Sequence, residues 1–169
     1  MFSKFFPSEM ADSVYHIDYD KFLEMGIKGV IFDIDNTLAT FDTPKPCPKV
    51  LELFGDLSKK GFSIGFLSNN KKERVETFCE DLPYPYIWRA KKPNLKGLNK
   101  LLSDLQLSEK NVILVGDQIF TDCWIGRRSG VYTILTKPIA VRDEWQVMFK
   151  RIPEWFVHKS YARKRGKNG

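Results

Sequence analysis

Short apolar runs rich in Val and Ile alternate along this chain with stretches of helical spacing, and two of the runs end in acids. "KGVIFDID" (28–35) and "NVILVGD" (111–117) read as buried parallel strands approaching their carboxyl ends. "FSIGFLSNN" (62–70) and "GVYTIL" (130–135) have the same β-rich composition. Helical spacing fills the gaps: Pro48 to Lys60, Lys71 to Leu82, Asn94 to Leu105 and Phe120 to Arg128. Such alternation predicts an α/β fold, a doubly wound, mainly parallel Rossmann-like sheet with helices on both faces and right-handed crossovers. Ligands of such sheets bind in the crevice outside the carboxyl ends of the strands, where the acids lie.

With 169 residues, 43% of them hydrophobic, the chain suits one compact domain, expected over residues 1–150. The net charge of +6 is confined to one end. Residues 150–169 hold seven Lys or Arg against one acid, Glu154, while the rest is balanced, so residues 151–169 are expected to form a basic, aromatic tail. No run of about 18 apolar residues exists to span a bilayer, and "MFSKFFPSEM" lacks the features of a signal peptide; the expectation is a cytoplasmic protein. Cys47, Cys79 and Cys123 are widely spaced and odd in number, so they read as reduced thiols.

Buried strands have no need of paired carboxylates at their ends. Asp33 and Asp35 can project into one crevice, where their repulsion requires a cation or a proton to offset it. Asp117 closes a second strand and Asp122 follows at the expected start of a helix, so four carboxylates can converge. Hard oxygen ligands without neighbouring His or Cys favour Mg²⁺, which commonly meets substrate phosphate. Ser68, Asn69 and Asn70, where the 62–70 strand ends, offer a hydroxyl, amides and backbone N–H groups to phosphoryl oxygens. Lys92 precedes Pro93, a placement that keeps it out of the following helix and holds a cation at the rim.

Taken in order, these residues resemble the haloacid dehalogenase (HAD) superfamily of aspartate-nucleophile phosphatases. Its DxDxT motif appears as Asp33-Ile34-Asp35-Asn36-Thr37, its strand ending in Ser or Thr at Ser68, its lysine at Lys92 and its acid pair as Gly116-Asp117 through Asp122. The phrases "GIKGVIFDIDNTL", "FLSNNKKERV", "AKKP" and "VGDQIFTD" resemble the subfamily IIIA phosphatases of the YqeG type, which are related to phosphatidylglycerophosphate phosphatases. The resemblance implies that Asp33 attacks phosphorus to form an aspartyl-phosphate and that Asp35 protonates the leaving alkoxide, then activates water. It implies Mg²⁺ held by the Asp33 carboxylate, the Asp35 carbonyl and Asp117, with Asp122 in support. Ser68 and Lys92 would orient the phosphoryl oxygens, Thr37 would steady the loop, and Thr37, Asn69 and Lys92 form the substrate-binding set.

The spacing leaves no room for a cap domain: Thr37 to Ser68 accommodates a loop, a helix and a strand, and Ser68 to Lys92 a helix and a short strand. An open site accepts a phosphate displayed on a large body, and the favoured partner is a lipid headgroup. Trp145, Phe149, Trp155, Phe156 and Tyr161, interleaved with basic residues, suit peripheral contact with an anionic membrane, with Phe2, Phe5 and Phe6 as a second contact. Two other classes remain. A receiver-type phospho-acceptor uses similar residues, but there Lys-Pro comes last, whereas Lys92-Pro93 precedes Asp117. A nucleic-acid or ribosome-associated protein would use the tail on phosphates, although no recognition motif favours nucleic acid.

Overall fold

The structure, a computed structural model, describes residues 6–140. The tail at 151–169, its aromatic approach from Trp145, and Phe2 and Phe5 lie outside the described residues, as does the boundary expected at 150. Among the described residues six parallel strands form one sheet: β1 (Glu9–Ala11), β2 (Gly29–Phe32), β3 (Ser63–Leu67), β4 (Tyr86–Ile87), β5 (Val112–Gly116) and β6 (Tyr132–Thr136). Their spatial order is β1-β6-β5-β2-β3-β4. From β2 the chain winds outward through β3 to β4, then crosses to β5 and β6 on the other side. The order therefore reverses between β2 and β5, where open α/β sheets form their ligand crevice.

Five α-helices among the described residues cover the sheet: α1 (Tyr19–Glu24), α2 (Pro48–Lys59), α3 (Lys72–Cys79), α4 (Leu95–Leu105) and α5 (Trp124–Ser129). Alternation along each strand divides the core. Val30 and Phe32 of β2, Ile64 and Phe66 of β3, and Ile113 and Val115 of β5 pack with Phe22, Phe54, Leu57 and Phe78 from α1, α2 and α3. On the opposite face Ile31, Leu67 and Leu114 meet Leu98, Leu101 and Leu102 of α4 and Ile125 of α5. Gly65 permits that packing, because a Cβ there would stand 3.1 Å from Leu101. The doubly wound sheet with helices on both faces is as expected, and within residues 6–140 no cap interrupts it.

Three details differ from the sequence reading. The strand β1, a 3₁₀ turn at Val14–His16 and α1 precede the first expected strand. Their signals were short: three residues complete the sheet edge beside β6, in the register Glu9 with Ile134. The helix expected from Phe120 begins instead as a π-turn over Ile119–Cys123, and regular α-helix starts at Trp124. There the Asp122 and Cys123 N–H groups both donate to the Gln118 carbonyl. Phe6, expected to share a membrane contact, is half-buried against Ile119, Cys123 and Leu135.

Candidate active site

Four of the expected acids gather at the carboxyl edge where the strand order reverses. The Asp33 N–H donates to the Val115 carbonyl at 2.8 Å, extending the β2–β5 ladder by one residue and fixing where its side chain leaves the sheet. Beyond it the chain turns sharply through Asn36, whose φ of 64° is a left-handed conformation that asparagine tolerates. Its N–H donates to the Ala39 carbonyl, while the Thr37, Leu38 and Ala39 N–H groups fold back onto the Ile34 carbonyl. This tight loop carries Asp35 and Thr37 over the edge. Thr37 Oγ1 donates to Asp117 Oδ1 at 3.3 Å, tying the β2 loop to the end of β5.

Asp33, Asp117 and Asp122 are buried, and each offers a carboxylate oxygen within 4.8 Å of the others'. Asp122 reaches the cluster because Gly116 lacks a side chain: a Cβ there would fall 2.3 Å from the Asp122 carboxylate. The Gln118 N–H donates to Asp122 Oδ2 at 3.1 Å and holds the carboxylate back over the strand end. Lys92 Nζ completes the group, 2.6 Å from both Asp33 Oδ1 and Asp122 Oδ1 and only 2% exposed.

Electrostatics follow from this crowding. Burial pushes the Asp33 carboxyl up to about 7; Lys92 opposes that rise, while Asp122 and Asp35 add to it. Burial alone would lower Lys92, but Asp122 and Asp33 outweigh it and hold the ammonium above the ordinary lysine value, so it stays charged. One lysine thus serves two members of a cluster of three close carboxylates. Three hard carboxylate oxygens at this spacing are a donor set that fits Mg²⁺.

The remaining expected residues divide by what their side chains touch. Ser68 is buried at the end of β3, and its Oγ accepts from the Asn70 N–H at 3.1 Å. Asn69, expected to bind substrate, brackets Lys92 with its amide: Oδ1 accepts from the Lys92 N–H at 2.7 Å, and Nδ2 lies 3.5 Å from the Lys92 carbonyl. The Asp35 carboxylate stands apart from the three-acid cluster, with Asn70 Nδ2 2.9 Å from Oδ2 and Arg74 Nε 3.1 Å from Oδ1. Arg74 was missed in the sequence, where it reads as one more cation in "NNKKERV"; only its position in the first turn of the helix after β3 hints at the strand edge. A cavity of about 330 Å³ opens over the group, lined by Asp33, Asp35, Ser68 and Lys92 with Phe41, Gln118 and Thr121. The arrangement brings two carboxylates, Asp33 and Asp35, to one cavity wall with a fixed cation beside a donor set that fits a metal.

Comparison with known proteins gives this geometry a context. A family model described as "Haloacid dehalogenase-like hydrolase" matches residues 39–136, starting just beyond the Asp33–Thr37 turn. The chain is 36% identical over 165 residues to "Probable phosphatase YqeG" of Bacillus subtilis (strain 168), covering 97% of this chain and 96% of that protein. It is 29% identical over 162 residues to "Phosphatidylglycerophosphate phosphatase 1, chloroplastic" of Chlamydomonas reinhardtii, covering 89% of this chain and 60% of the relative. The cobalt-bound deoxy-D-mannose-octulosonate 8-phosphate phosphatase (YrbI) of Haemophilus influenzae superposes with a TM-score of 0.52 at 14% identity, over 68% of this chain and 80% of that one. At that identity the likeness is one of fold alone.

Proposed function

This chain belongs to the haloacid dehalogenase-like hydrolase family and is a phosphatase; from that premise we propose that it is an Mg²⁺-dependent phosphomonoesterase working through an aspartyl-phosphate, with phosphatidylglycerophosphate or a related lipid phosphate as substrate. The observation that carries the reading is the meeting of Asp33, Asp117 and Asp122 with Lys92 at the sheet's switch point. Asp33 lines the cavity and is the nucleophile: a carboxylate oxygen bonds to phosphorus as the ester P–O bond breaks. Asp35, also in the cavity wall, passes its proton to the departing alkoxide. In the second half it takes a proton from water, whose oxygen attacks the same phosphorus, releasing inorganic phosphate and restoring Asp33.

Ser68 and the Lys92 ammonium hold phosphoryl oxygens, with Asn69 acting through the Lys92 backbone and Thr37 steadying the β2 loop through Asp117. Asp33, Asp117 and Asp122, with the Asp35 carbonyl, are the residues that would hold Mg²⁺. Bound there, the ion neutralises charge on the transferring phosphoryl group. The uncapped edge leaves the cavity open to a phosphate carried on a large body, and the similarity to a phosphatidylglycerophosphate phosphatase supports a lipid. The chain would then work in the cytoplasm at the inner face of the membrane, with its basic tail on anionic lipid. Among the described residues no helix is long and apolar enough to cross a membrane.

The test is Mg²⁺-dependent phosphate release from phosphatidylglycerophosphate in anionic vesicles against a panel of soluble phosphomonoesters. Preference for the lipid is expected. Preference for a soluble ester would retain the chemistry and reject the lipid.

A further inference from the structure

Arg74 lies in the first turn of α3 and has no part in the chemistry proposed above, yet its side chain is only 14% exposed and each nitrogen of its guanidinium has a partner. Nε and Nη2 stand 3.1 and 3.0 Å from Asp35 Oδ1. Nη1 donates to the Pro44 carbonyl at 3.0 Å and Nη2 to the Thr40 carbonyl at 3.2 Å. Both carbonyls belong to the loop between β2 and α2, which also carries Phe41 into the cavity wall. One planar group thus joins the Asp35 carboxylate, α3 and this loop, a task that suits the fork of a guanidinium and not the single point of an ammonium.

Desolvating such an ion pair adds little to stability on balance, so stability alone does not account for it. Its geometric consequence is specific. With Oδ1 committed to Arg74, Oδ2 is the oxygen left to carry the proton, and Asn70 Nδ2 restrains it from the other side at 2.9 Å. We infer that Arg74 is a positioning residue for proton transfer: it aims Asp35 Oδ2 at the ester oxygen and locks that aim to the loop bearing Phe41. The inference rests on the reading of Asp35 as acid and base.

Leaving-group chemistry separates positioning from mere structural support. The probes are phosphatidylglycerophosphate in detergent micelles and n-hexyl phosphate, which release alkoxides, and p-nitrophenyl phosphate, whose leaving group departs without a proton. kcat/KM reports formation of the phospho-enzyme alone. Arg74→Gln is expected to lose about 100-fold in kcat/KM on the alkyl esters and less than about 5-fold on the aryl ester. Its Mg²⁺ titration should match wild type, because Arg74 pairs with Asp35 and not with the three-acid cluster. Should that variant misfold, Arg74→Lys keeps the charge and is expected to show the same selective loss. Equal losses on both ester classes in a folded variant would overturn the inference. Asp35→Asn is the control: if it lacks the leaving-group dependence, the acid–base reading itself falls, whereas dependence in Asp35→Asn without it in the Arg74 variants refutes only the positioning role.

Discussion

At the residue scale the site depends on a few side chains whose burial is costly without partners. Asp33→Asn removes the proposed nucleophile while leaving Lys92 paired with Asp122, so the fold should persist and turnover should fall by a factor of about 10⁴ or more; steady-state kinetics beside a thermal melt would check both halves. Asp117→Asn should weaken the Mg²⁺ dependence instead, and an unchanged metal titration would count against its ligand role. Asp33, Asp117 and Ser68 were legible in the sequence because each follows an apolar strand, Lys92 because it abuts a proline, and Asp35 and Asp122 because they follow strand-end acids at short spacing. Arg74 was not, since a basic residue in a helix's first turn is ordinarily solvated and only the fold brings Asp35 and the loop at 40–44 within its reach. Asn69 was legible as a residue at the site but not in its contacts, because the reach of its amide to Lys92 depends on how two loops separated by 23 positions lie together.

Among the elements, β5 and the π-turn after it are the most closely interlocked. Gly116 leaves the space that the Asp122 carboxylate occupies, so Gly116→Ala must displace the π-turn or the strand end. A cost of about 1–3 kcal/mol is expected, together with loss of Mg²⁺ binding; calorimetry on the variant would contradict this if stability and metal binding both stayed at wild-type levels. Phe66 makes a comparable point for the core, packed by ring contacts with Phe54, Phe78 and Tyr84; Phe66→Ala should destabilise by about 3–5 kcal/mol in chemical denaturation. The four long strands and the helices between them were legible because their periodicity runs for several residues. The edge strand β1 and the short α1 were not, since elements of three and six residues carry too little pattern and are held by pairing with β6 and by packing of Phe22 against the sheet.

For the whole molecule, fold and site meet through charge. The Asp33 carboxyl, raised from an ordinary 3.8 to about 7, binds its proton more tightly in the folded than in the unfolded chain. Without divalent cation that contribution is fully present below about 4 and is lost as pH rises through about 7. Cation and proton compete for the same oxygens, so the gain in melting temperature on adding Mg²⁺ should grow from pH 5 to pH 8. A gain independent of pH would contradict the proposed metal site. The basic end at 150–169 supplies the chain's excess charge, and removing residues 159–169 should weaken binding to anionic vesicles while leaving hydrolysis of a soluble ester unchanged. The central claim is covalent catalysis at Asp33, and the most direct measurement is mass spectrometry of Asp35→Asn quenched with acid during turnover of p-nitrophenyl phosphate. On the proposed mechanism that variant forms the phospho-enzyme from an ester needing no acid but lacks the base to hydrolyse it. A phosphoryl group on the peptide containing Asp33, absent when Asp33 is also changed to Asn, is the result predicted; release of p-nitrophenol with no phosphorylated peptide, or with the phosphoryl group on another residue, would contradict it.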